Sequence, residues 1–198
     1  LEYTDCQRSL MAQDDERIIT HISNFRKVKR IPDVIKIFNK VQKEIPAKLI
    51  MVGEGPEKEY AEQLCDDLGL KEKVLFLGNS TEIDRILCFS DLFLLPSESE
   101  SFGLAALEAM INKVAVISSD VGGIPEVNKS GISGFLSKVG DVDEMASNAL
   151  KILREEAVLE KFKDNAFKIA SKFDIVHILP LYEEVYEKAY KYRFKNTY

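Results

Sequence analysis

The chain has 198 residues, 45% hydrophobic and 30% charged, with a formal net charge of −6. That composition suits a globular chain with a sizeable core and excludes a disordered one. The acidic balance excludes a broad phosphate-gripping face for nucleic acid, and no apolar run approaches the ~20 residues needed to span a bilayer.

Residues 1–16 are polar and unpatterned, a lead-in without a signal-peptide pattern, and the first residue is Leu, as in a processed chain or an excised piece. Short, nearly continuous apolar runs follow at 18–22, 48–52, 74–77, 92–95 and 114–117. Each is rich in Val, Ile, Leu or Phe and too short for a helix, the pattern of strands buried on both faces. Between them lie helical stripes, first Val34, Ile35, Ile37, Phe38 and Val41, then Tyr60, Ala61, Leu64 and Leu68. Pro32 suits a helix first turn and Gly69 a helix stop. Strands alternating with helices predict an α/β fold, a Rossmann-like open parallel sheet with helices on both faces.

Toward the end of the chain, Asp141 with Glu144 three residues later predicts a capped helix start. Further helices are expected over 156–172 and 176–192. The resulting division is a lead-in at 1–16, one domain at 17–172 and a last helix within 173–198. In that helix Tyr182, Tyr186 and Tyr190 recur at i, i+4 spacing. Packing against the sheet is expected for part of this stripe.

The three cysteines, Cys6, Cys65 and Cys88, are odd in number and far apart, with no CxxC. They predict idle thiols in a reduced, cytoplasmic chain and neither a disulfide framework nor a zinc site. His21 and His177 have no metal-pair spacing, and His21 reads as a satisfied core histidine at the first strand. Asp141 and Asp143 form a D-x-D, but one that opens a helix, so capping explains it better than a divalent cation. No metal and no cofactor are expected.

The candidate chemistry lies in the turns after strands. The run at 92–95 leads through Pro96 and a Ser-Glu-Ser-Glu loop to a helix start near Phe102 and Gly103. In open parallel sheets ligands sit at the carboxyl ends of strands, where helix N-termini offer N–H groups to phosphate oxygens. Glu108, about a turn and a half on, is placed to reach ribose hydroxyls, and Glu100 faces whatever lies beyond the phosphates. After the first strand Arg26, Lys27, Lys29 and Arg30 crowd one turn, a receiver for a diphosphate. Gly53 and Gly55 do not complete a G-x-G-x-x-G, because Lys58 stands where its last glycine would be. They suit a tight turn beneath the first-strand loop. No G-K-[ST] and no G-x-S-x-G occur, which excludes a P-loop and a serine-hydrolase elbow.

Glu100-Ser-Phe-Gly-Leu-Ala-Ala-Leu-Glu108 resembles the E-x7-E motif of the GT-B glycosyltransferases of family 4, a spacing that selects Glu100 over Glu98. Gly53-Glu-Gly-Pro56, Phe76-Leu-Gly78 and Val121-Gly-Gly-Ile-Pro-Glu126 resemble the same family, and the likeness runs from about residue 18 to 172. His21 to Arg30 with Gly122 to Val127 is similar to members that move N-acetylglucosamine from UDP to a small hydroxy acid. Asn24-Phe25 departs from the family's usual G-R start, which leaves Arg26, Lys29 and Arg30 as alternative diphosphate ligands.

The resemblance implies the C-terminal, donor-binding half of a retaining glycosyltransferase, with a UDP-sugar as donor substrate and an acceptor held by an N-terminal domain this chain lacks. It implies that Glu100 holds the transferred sugar and that Arg26, Lys29 or Arg30 meets the charge growing on the diphosphate. Lys29 and the backbone at Ser101, Phe102, Gly103 and Leu104 meet the diphosphate, Gly53 and Gly55 shape the floor, Gly78 lies by the base, and Glu108 takes the ribose. The isolated chain is expected to transfer sugar poorly or not at all, and because the final helix of such enzymes crosses back to the N-terminal domain, the segment from Tyr190 to Tyr198 is expected to meet that partner or another copy. Two rival readings stay open, a GT-B-like epimerase or phosphorylase and a nucleotide-sugar-binding regulatory module.

Overall fold

The computed structural model describes residues 8–195. Six parallel strands form one sheet: β1 (Arg17–Ile22), β2 (Ala47–Val52), β3 (Val74–Gly78), β4 (Leu92–Leu95), β5 (Ala115–Ser119) and β6 (Gly134–Ser137). Their spatial order is β3-β2-β1-β4-β5-β6. The helices are α1 (Ile31–Val41), α2 (Lys58–Asp67), α3 (Ile83–Leu87), α4 (Leu104–Ile111), α5 (Ile124–Val127), α6 (Val142–Leu153), α7 (Glu156–Ala170) and α8 (Ile175–Lys195).

The two-residue period of the strands sorts the core into layers. Ile19, Leu49, Met51, Leu92, Leu94 and Ile117 face α1, α2 and α6. Their neighbours Phe93, Leu95 and Val116 face α4 and the end of α7, while Ile18, Ile50 and Val52 face α3. Both faces of β1, β2, β4 and β5 are therefore covered, which is why these strands read as nearly continuous apolar runs, while the edge strand β3 leaves Leu75 exposed. The apolar stripe of α1 is buried from Ile31 to Val41, with Pro32 in its first turn. Gly69, just past the end of α2, takes a φ of 67°. At the start of α6 the Asp141 carboxylate accepts the Glu144 N–H at 2.9 Å. Asp143 instead pairs with Lys40 at 2.7 Å. Capping accounts for Asp141 and an ion pair for Asp143.

The topology positions the site. From β1 the chain winds one way to β2 and β3, and from β4 it winds the other way to β5 and β6. The turns that leave β1 and β4 therefore diverge, and a crevice opens between them at the carboxyl edge of the sheet.

Four expectations need correction. A sixth strand, β6, was not anticipated; its Phe135 and Leu136 are only partly buried and flanked by Gly134 and Ser137. The lead-in is not patternless, since Arg8–Leu10 forms a 3-10 turn. From it the Arg8 guanidinium donates to the carbonyls of Phe89 and Glu16 at 2.7 Å and pairs with Asp91 at 2.8 Å. The tyrosine stripe does not pack on the sheet, for Tyr182 and Tyr186 are 60% and 71% exposed and Val185 is 63% exposed. Finally, the cysteines are not uniformly idle. Cys65 is a free thiol, pushed up to about 11 by burial, but Cys88 is disulfide-bonded; Cys6 lies outside the described residues. Among those residues no helix is long and apolar enough to cross a membrane.

Candidate functional site

The crevice between the β1 and β4 turns contains a cleft of about 400 Å³. Ser23, Asn24 and Lys29 line it from the β1 turn, Gly53 from the β2 turn, Asn79 and Ser80 from the β3 turn, and Leu104, Ala105 and Glu108 from α4. Residues from four separate turns thus meet at one edge of the sheet.

Backbone contacts assemble these turns. Gly53 adopts a φ of 130°, and a Cβ there would lie 1.8 Å from the Ser23 carbonyl oxygen, so only glycine lets the β1 and β2 turns touch. Its N–H donates to the Gly78 carbonyl at 2.8 Å, tying in the β3 turn. Gly55 packs against the backbone of Phe25, whose N–H donates to the Glu54 carbonyl at 2.9 Å. These two glycines therefore approach protein backbone, and Gly53 alone of the pair also lines the cleft. On the other side the Glu98 N–H donates to the Val28 carbonyl at 2.8 Å, joining the β4 loop to the β1 turn.

The β1 turn is a 3-10 segment, Lys27–Lys29, between Arg26 and Arg30. Lys29 forms an ion pair with Glu100 across the crevice, the two side chains being 20% and 13% exposed. Ser97 donates to the same Glu100 oxygen at 3.0 Å. Arg26 is exposed and has no ion pair among the described residues. Arg30 takes the left-handed conformation that begins α1, and its guanidinium is bound by Asp33 at 2.6 Å, beside Gly140. Of the predicted cations only Lys29 lines the cleft; Arg26 stands on the same turn, and Arg30 is engaged elsewhere.

Helix α4 starts at Leu104 behind Gly103, with no side-chain cap. The first-turn N–H groups of Leu104, Ala105 and Ala106 have no carbonyl partner among the described residues. They give the cleft a positive wall. One and a half turns on, Glu108 is raised above its ordinary carboxylate range by burial and then by the negative charge of Asp84. Ser101 is exposed, and the Phe102 ring packs edge-on to Phe173 at 5.7 Å. Neither lines the cleft. A further support lies in Val121 to Ile124, where Gly122 (φ 54°) brings the backbone against Glu100. A Cβ at Gly122 would fall 1.7 Å from the Glu100 carbonyl oxygen.

His21 is buried behind Ser23 and does not itself line the cleft. Its side chain is buried between the Leu94 carbonyl, 2.8 Å from Nδ1, and the Ser23 hydroxyl, 2.8 Å from Nε2. The expectation of a satisfied core histidine holds. Asn79, Ser80 and Ile83 are cleft residues that sequence reasoning missed, and their only available signal was proximity to the Phe76-Leu-Gly78 segment. Among the described residues no cluster of three or more His, Cys, Asp or Glu could hold a metal ion.

Comparison with known proteins adds findings of three kinds. The family described as glycosyl transferases group 1 matches residues 4–169. The N-acetyl-alpha-D-glucosaminyl L-malate synthase of Bacillus anthracis is 41% identical over 186 residues, 93% of this chain and 49% of that protein. An uncharacterized glycosyltransferase of Methanocaldococcus jannaschii is 32% identical over 169 residues, 84% of this chain and 43% of that protein. Among solved structures, Anabaena Alr3699/HepE in complex with UDP superposes with a TM-score of 0.80 at 26% identity, over 88% of this chain and 49% of that one. A mutant of S. aureus TarM, in complex with fondaparinux, alpha-GlcNAc-glycerol and UDP, has the same score and identity over 87% of this chain and 36% of that one. The chain spans about half the length of these two curated relatives.

Proposed function

The chain belongs to the group 1 glycosyl transferases, and from that premise we propose that it is the donor-binding half of a retaining enzyme. Its donor is a UDP-sugar, UDP-N-acetylglucosamine, and the acceptor is a small hydroxyl compound such as L-malate, held by the part of the protein outside this chain. The observation that carries the reading is the convergence of Lys29, the bare N–H groups of α4 and Glu108 on one cleft. The names of the Bacillus anthracis relative and of the UDP-bound HepE support the choice of sugar and nucleotide.

In this reading the diphosphate lies between Lys29 and the start of α4, with Arg26 reaching in from the rim. Breaking the bond from sugar to phosphate leaves growing negative charge on the nucleotide. Fixed donors aimed at that charge are worth on the order of 10²–10³ in rate each. Glu108 accepts from the ribose hydroxyls, and the Gly78 to Ser80 turn borders the base. Lys29, paired with Glu100 in this structure, exchanges that partner for phosphate and releases Glu100 toward the sugar hydroxyls. Arg30, held by Asp33, acts behind this layer by shaping the turn.

The test is a thermal-shift panel of UDP, UDP-N-acetylglucosamine, GDP and ADP, since a ligand that binds only the folded state raises its apparent stability. A shift selective for the two uridine ligands, and lost in Glu108→Ala, is expected. Equal shifts with all four, or none, would overturn the reading.

A further inference from the structure

The hydrogen bonds of His21 determine which way the Ser23 hydroxyl can point. The Leu94 carbonyl can only accept, so the proton of a neutral imidazole must sit on Nδ1. Burial lowers His21 to about 4, with the nearby Lys29 lowering it and Glu100 and the Leu94 bond raising it. At neutral pH the ring is therefore uncharged and Nε2 carries a bare lone pair. Ser23 Oγ, 2.8 Å away, must donate to it. A hydroxyl has one proton, and here it is already committed. The ring itself is held nearly parallel to Phe93, with centroids 6.4 Å apart, and tilted against Phe25 at 6.2 Å.

Ser23 lines the cleft beside Lys29. Positive charge and α4 N–H groups already supply donors for phosphate, so a serine with no proton to give adds something different. We propose that His21 is a positioning residue that holds Ser23 as a hydrogen-bond acceptor, so that Ser23 receives a hydroxyl of the bound sugar nucleotide and not one of its phosphate oxygens. This assignment rests on the nucleotide-sugar reading of the cleft and adds to it a specificity element that rewards hydroxyl-bearing ligands. It also explains the bonds that run from the Leu94 carbonyl through His21 to Ser23 at the carboxyl end of β1, where an isolated serine could turn its proton either way.

Titration calorimetry on this chain with UDP-N-acetylglucosamine and with inorganic pyrophosphate, which has no sugar hydroxyl, provides the test. Ser23→Ala is expected to weaken UDP-N-acetylglucosamine about 3- to 10-fold, the size of one neutral hydrogen bond, and to leave pyrophosphate unchanged. His21→Phe should produce the same selective loss, with no further loss when Ser23→Ala is added. His21→Gln, whose amide oxygen can still take the serine proton, should restore most of the affinity. Nitrogen NMR of the imidazole should report the Nδ1–H tautomer. Equal weakening of both ligands by Ser23→Ala, or an Nε2–H tautomer, would overturn the assignment. The Ser23→Ala comparison decides the matter even if His21→Phe fails to fold. Absence of UDP-N-acetylglucosamine binding to the unmodified chain would sink the nucleotide-sugar reading and this inference together, whereas intact binding with unselective losses sinks only this inference.

Discussion

Lys29 and Glu100 form an ion pair that bridges the turn after β1 and the loop after β4. Both side chains are mostly buried, so each is the other's main compensation for leaving water. The same pairing sets Glu100 in competition with any anion that approaches Lys29.

Glu100→Gln removes that competitor. UDP is expected to bind about 3- to 10-fold more tightly to this variant, the scale of a charge-assisted bond gained, while the extra affinity contributed by the sugar of UDP-N-acetylglucosamine falls. Lys29→Ala should act in the opposite sense. It should weaken both ligands by roughly tenfold or more and destabilise the fold by about 1–3 kcal/mol, because Glu100 is left without its cation. Calorimetry and urea denaturation check the two effects separately.

His21 makes stability depend on pH. Its folded value near 4 lies below the ordinary 6.5, so between those values the unfolded chain holds a proton that the folded chain does not. Stability from this group is complete above about pH 6.5 and is lost as the pH falls toward 4, by about 3 kcal/mol in all. Urea midpoints at pH 7 and pH 4.5 should diverge for the natural chain and diverge less for His21→Phe.

Glu108 should matter for binding more than for folding, since it is only partly covered and its carboxylate makes no hydrogen bond or ion pair among the described residues. Glu108→Ala is expected to cut UDP affinity about tenfold with little change in melting temperature. Because burial and Asp84 raise its pKa, binding should weaken on acidification at a higher pH than an ordinary carboxylate would predict. Asp84→Asn should move that transition to lower pH, as a series of titrations at stepped pH would show.

Gly122→Ala tests how the β4 loop is held. The added methyl would overlap the Glu100 carbonyl, and the left-handed φ of 54° disfavours any side chain. A loss of about 2–4 kcal/mol in unfolding free energy is expected from strain and displacement. UDP-N-acetylglucosamine binding should fall with it even though Gly122 does not line the cleft.

Removal of the chain from Ile175 onward should leave the melting temperature of the remaining domain nearly unchanged. Helix α8 exposes Ile175, Val176, Leu179 and Tyr186, so its loss forfeits little buried apolar area. Differential scanning calorimetry of the two lengths checks this, and a fall of several degrees would show that α8 supports the domain.

The sheet was legible wherever apolar residues ran nearly without a break, through burial on both faces in β1, β2, β4 and β5 and, at the edge strand β3, through the run Val74-Leu-Phe-Leu77 although Leu75 is exposed. It failed at β6, where Gly134-Phe-Leu-Ser137 at the sheet edge leaves two residues half-covered and too few apolar positions to stand out. Helices α3 and α5, of five and four residues, are too short to display a period. In the candidate site, Lys29, Gly53, Leu104 and Glu108 were legible because strand ends and a helix start marked their places. The fate of Arg30 was not, since Asp33 lies only one turn away and the competition between that neighbour and the cleft is decided in space. The link from His21 to Ser23 was equally hidden. Two residues apart on a strand share a face, but only the placement of the Leu94 carbonyl reveals the direction of the proton.

The bond from the Glu98 N–H to the Val28 carbonyl, with the seating of Gly53 under Ser23, joins the rims of the cleft through main chain. Main-chain bonds survive exchange of the side chains around them. Such an enclosure can therefore be re-equipped during evolution, one rim residue at a time, without first losing its outline. It also meets an arriving molecule already shaped, so the rate of capture is governed by diffusion and by the charge at the entrance.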